Sequence, residues 1–170
     1  MRYVCSYNPP ARRGAVYAGD KAGLEHLKSA GARLTNYGGE ALQSDQVLIV
    51  EPGSSRELAP QAQAVASWSK AGGQVLALGL SEQELQAFLP FKVHTEQKEH
   101  ISCYFEPLSV GTFMSGIGPA DVLIRGPREV PLVLGGADVI GDGALAKRVR
   151  SGVSNSTPML PRTRLRAKLR

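Results

Sequence analysis

Two apolar runs, QVLIV at 46–50 and VLAL at 75–78, constrain this chain most. Val47 and Val75 stand 28 residues apart, with a helical pattern between them. The first run is apolar on both faces, as a central parallel strand covered by helices should be. That period is a βαβ unit, and its crossover is expected to be right-handed.

The connecting residues support the same unit. Pro52-Gly53 ends the first strand. Ser54 and Glu57 have S-x-x-E spacing, in which each side chain satisfies a free N–H at a helix start. Pro60 suits a first helical turn. Leu58, Ala62, Val65 and Ala66 repeat at helical spacing, Trp68 extends them, and Gly72-Gly73 closes the helix. Past the second strand, Gly79-Leu80-Ser81 forms a tight turn. Ser81 and Glu84 repeat the S-x-x-E pattern, which predicts a short helix to about Phe88, stopped by Pro90.

The flanks extend this pattern. Gly14–Gly19 reads as a strand, Lys21–Ala30 as a helix ended by Gly31, and Ala32–Thr35 as a second short strand. Beyond Pro90 the helical stripe is lost. Lys92–Phe105 predicts one or two strands, Gly111–Ile117 a loop or short helix, and Val122–Ile124 another strand. Val130–Leu134 and Ala137–Ile140, separated and followed by glycine turns, read as a β-meander. The expected fold class is α/β: a parallel flavodoxin-like sheet with helices on both faces and a C-terminal antiparallel β-meander.

Charge divides the chain. Residues 147–170 hold eight Lys and Arg and no acid, while the other 146 residues hold 12 basic and 15 acidic side chains. The body is therefore mildly acidic, and the net charge of +5 belongs to the tail. Two prolines, small polar residues and like charges predict disorder from Ser151 onward. Three segments follow: an N-terminal extension (1–13), an α/β domain (14–146) and a basic tail (147–170). Eight unopposed cations would bind phosphate with a steep salt dependence, but the tail has no aromatic residue for base stacking. Residues 1–13 lack the apolar core of a signal peptide, and no apolar run is long enough to span a bilayer. Cys5 and Cys103 are too few and too far apart for a disulfide framework or a zinc site.

Ligands of open α/β sheets bind at the C-terminal edge of the strands. Two turns should meet there, which makes Glu51, Gly53, Ser54, Gly79 and Ser81 the candidate ligand edge. The N–H groups of a helix start can hold an anion, although Glu51 would repel one and Ser54 and Ser81 are expected as caps. His94, Glu96 and His100 alternate, so a strand places them on one face. Such a face could carry metal ligands, and a solvated polar face is the more common outcome. Gly116-x-Gly118 lacks the helix start of a nucleotide loop. No metal, no cofactor and no catalytic residue is expected.

The order DQVLIVEPGSS, helix, AGGQVLALGLSEQELQAFLPF, then GPADVLIRGPREVPLVLGGADVIGDGALA resembles the class I glutamine amidotransferase-like domain. More narrowly, it is similar to versions attached to bacterial glycoside hydrolases of the β-galactosidase kind. The resemblance covers about residues 14–146. It implies a cysteine nucleophile at the turn occupied here by Gly79-Leu80-Ser81, and an oxyanion loop at Glu51-Pro52-Gly53-Ser54. Leu80 has no nucleophilic atom. His94-Thr95-Glu96 has the family's H-x-E spacing but falls midway along the chain rather than near the domain end. The family also continues past Gly141–Ala146 into a further hydrophobic strand, where this chain has its basic tail. The resemblance therefore implies a non-catalytic accessory or remnant domain of a carbohydrate-active enzyme, acting in packing, oligomerisation or weak ligand binding. Its partner would be a glycoside hydrolase catalytic domain or a second copy, rather than nucleic acid or a membrane. The alternatives are a hydrolase with a non-standard site at the Glu51/Ser81 edge and a nucleic-acid binder acting through the tail.

Overall fold

A computed structural model describes residues 14–106, 108, 114–149 and 156–160. The N-terminal extension, with Cys5, lies outside them. Four parallel strands form the frame: β1 (Gly14–Ala18), β2 (Leu34–Asn36), β3 (Gln46–Val50) and β4 (Gln74–Leu78), in the order 2-1-3-4. Helix α1 (Lys21–Ser29) connects β1 to β2. Between β3 and β4 run α2 (Ser55–Leu58), a 3-10 turn (Ala59–Gln61) and α3 (Ala62–Lys70). The single helix expected there is interrupted at Pro60, whose ring conflicts with the carbonyl four residues earlier in a continuous helix and which has no N–H to donate. Helix α4 (Glu82–Gln86) follows β4.

Helices cover both faces because the chain leaves β1 in two directions. The crossover to β2 and the crossover from β3 to β4 run opposite ways along the sheet, so right-handed connections put their helices on opposite sides. The core divides accordingly. Val16, Ala18, Leu48, Val50, Val75 and Ala77 pack with Leu58 and Val65 on the α2–α3 side. Tyr17, Ile49 and Leu78 pack with Leu24 of α1 and with Phe105, Met114 and Val122 on the other. Leu48, Val50 and Val75 are completely buried, and each such side chain contributes roughly 1.5–3 kcal/mol.

The C-terminal part departs from the expected meander. Strand β5 (His94–His100) pairs antiparallel with β6 (Arg128–Gly135) in a separate two-stranded sheet. Strand β7 (Asp138–Ile140) pairs instead with β8 (Leu145–Val149) in the main sheet. The eight-residue β6 finds a partner along its length in β5, which the three-residue β7 could not supply. Val122–Ile124 is not a strand: a 3-10 turn (Pro119–Asp121) precedes it, and Ile124 N–H donates to Ile101 O at 2.8 Å. Of Gly111–Ile117, residues 111–113 lie outside the description, and Met114–Gly116 is a turn.

The basic tail is also corrected in part. Lys147–Val149 belongs to β8, and Ser156–Leu160 forms β9 between β4 and β8. The outer edge of β4 would otherwise present unpaired main-chain groups beside a covered core, and β9 takes them up. Pro158 has no N–H, and the ladder to β4 begins one residue later, at Met159↔Ala77. Strand β9 runs parallel to β4 and is drawn from the tail. Residues 150–155 and 161–170 lie outside the description.

Candidate functional site

Both turns of the candidate edge follow from local chemistry. Gly79 has φ +64°, a backbone region that glycine enters without cost, and it lets β4 reverse sharply into α4. Leu80 then turns inward, buried beside Leu85, Phe88 and Leu89. Where the resemblance implies a nucleophile, the side chain is part of the core. Ser81 caps α4 as its spacing predicts. Its hydroxyl accepts from Glu84 N–H at 3.4 Å, and its own N–H donates to Glu84 Oε2 at 2.9 Å.

Glu84 reaches further than a cap requires. Its Oε2 also accepts from the Ser81 hydroxyl at 2.7 Å, while Oε1 accepts from Gly53 N–H at 3.0 Å. One carboxylate thus joins the β3 and β4 turns, in the place where the resemblance implies oxyanion donors. Burial alone would raise the Glu84 pKa. The N–H groups of Gly53 and Ser81 and the Ser81 hydroxyl outweigh burial and hold it below the usual value.

The β3 turn is arranged differently from expectation. Ser54 does not form a reciprocal box with Glu57. Its hydroxyl donates back to Glu51 O at 2.6 Å, and Glu57 N–H donates to the Ser54 carbonyl at 3.0 Å. A serine hydroxyl can close this tight turn or cap the next one, and here the turn wins.

Glu51 belongs to a second network. It is 5% exposed and accepts from the Tyr17 hydroxyl at 2.8 Å, with Asp20 O 3.0 Å from the same hydroxyl. Both residues press on the start of α1, where a Cβ at Gly23 would overlap the Glu51 carboxylate and the Tyr17 hydroxyl. Asp20 caps that helix, its Oδ1 accepting from Gly23 N–H at 2.6 Å. This network sits at the β1/β3 switch point, the usual ligand crevice of such a sheet. Of the five candidate residues, Gly53 and Ser81 meet at Glu84, Glu51 turns to Tyr17, and Ser54 and Gly79 shape the two turns themselves.

His94, Glu96 and His100 do not act together. His94 lies 3.2 Å from Glu82, Glu96 pairs with Lys98 at 2.9 Å, and both are exposed. The side chain of His100 is wholly buried. Its Nδ1 lies 2.6 Å from Asp142 Oδ2 and its Nε2 2.8 Å from Val122 O. A carbonyl only accepts, so Nε2 carries a proton. Asp142 also accepts from Ala144 N–H at 3.1 Å. Burial would raise the Asp142 pKa, but hydrogen bonds from His100, Ala144 N–H and the Cys103 thiol lower it. Burial raises the Cys103 pKa first; a main-chain hydrogen bond from Asp142 works against the rise, the Asp142 carboxylate adds to it, and the net shift is upward. Sequence reasoning missed this cluster: Gly141-Asp142-Gly143 reads as a turn, and nothing local links Asp142 to a histidine 42 residues away. Among the described residues, no three His, Cys, Asp or Glu side chains are grouped to hold a metal.

Two further features lie away from the edge. A shallow groove of about 490 Å³ lies at the opposite end of the strands, by Gly14, Leu34 and Gln46, with Lys28 and Arg33 among its lining residues. Arg148, one of the tail cations, stacks over Phe91 at 4.1 Å and donates to Gly136 O at 2.8 Å. No helix among the described residues is long and apolar enough to cross a membrane.

Comparison with known protein families, curated proteins and solved structures finds no match for this chain. What stands is the fold: a four-strand parallel α/β sheet of flavodoxin-like or Rossmann-like character, with antiparallel C-terminal hairpins.

Proposed function

We propose that this chain is a non-catalytic, amidotransferase-like accessory or remnant domain of a carbohydrate-active enzyme, acting through packing, oligomerisation or weak ligand contact. The observation that supports the non-catalytic part of this reading is the Glu84 carboxylate bound to Gly53 N–H, Ser81 N–H and the Ser81 hydroxyl, beside a buried Leu80. An active elbow needs a free nucleophile and free donors for an oxyanion. Here the hydroxyl donates to a carboxylate that cannot leave without opening the helix cap, and the donors already hold a negative charge. This weighs equally against a hydrolase built on Ser81. The partner is a glycoside hydrolase catalytic domain or a second copy, and sedimentation of the purified chain with and without such a domain tests it. The chain is expected to show no turnover of glutamine or of aryl galactosides. Turnover above a heat-denatured control, abolished by Ser81→Ala, would overturn the proposal.

A further inference from the structure

We draw no further inference here: the strongest candidate, the His100–Asp142–Cys103 cluster between the end of β5 and the β7–β8 turn, has a buried His100 with both ring nitrogens bonded within the protein and an exposed Asp142 carboxylate already bonded to His100 and Ala144 N–H, so nothing in the structure presents it to a ligand.

Discussion

Replacing Glu84 by glutamine tests whether its carboxylate is the clasp of the sheet edge. The native side chain accepts three hydrogen bonds, one from Gly53 and two from Ser81. Glutamine keeps one acceptor oxygen and places an NH₂ group against a donor, so one of the two turns loses its partner. A hydrogen bond to a charged group is worth about 1.5–3 kcal/mol when well shielded. Gly53 is exposed and Ser81 half-buried, so water replaces part of what is lost and the expected cost falls to about 1–2 kcal/mol. For a chain of this size that lowers Tm by about 2–8 °C. The effect depends on pH with a definite sign. The folded pKa of Glu84 is depressed, so its stabilisation is full above the unfolded value of about 4.3 and is lost as pH falls through the folded value. Thermal melts of native and Glu84→Gln chains should differ at pH 7, and the gap should begin to close near about pH 4.3 and vanish only once pH has fallen through the depressed folded value. Equal melting at pH 7, or a gap that persists in acid, would refute the clasp.

Ser81→Ala should cost about 1 kcal/mol, the usual value of a lost N-cap, measured by urea unfolding. Gly23→Ala would gain up to about 1 kcal/mol in an open helix. Here the methyl meets Glu51 and Tyr17, so a net loss of about 1–3 kcal/mol is expected, and a more stable variant would contradict the packing. Asp142→Asn should destabilise by about 1–3 kcal/mol at neutral pH by disturbing the partner of a buried imidazole. In a Cys5→Ser background, the same variant should speed alkylation of Cys103 at pH 8, because the carboxylate that helps hold the thiol protonated is gone. An unchanged alkylation rate would remove Asp142 from the control of that thiol.

The legible parts of the fold are those whose cause lies within a few residues. Gln46–Val50 is a strand end to end, and the second run is β4 with one residue added, because a short, β-branched apolar run between turn residues suits a strand buried on both sides. The Ser81–Glu84 box forms as its i, i+3 spacing predicts. The same spacing at Ser54 misleads, since the β3 turn offers the hydroxyl a closer acceptor at Glu51 O. Composition misjudges Ser156–Leu160: its charged surroundings suggest no structure, yet an open strand edge makes extended backbone favourable there.

Sequence alone thus determined the βαβ frame, the capped turn after β4 and the absence of a nucleophile at Leu80. Tertiary structure decided that Glu84 reaches across to Gly53, that Glu51 turns to Tyr17, that His100 is buried against Asp142, and that β6 and β7 part into different sheets. The physical reason is range. Periodicity and caps are settled by neighbours within one turn, whereas the partner of a carboxylate or a strand edge depends on what folding brings beside it.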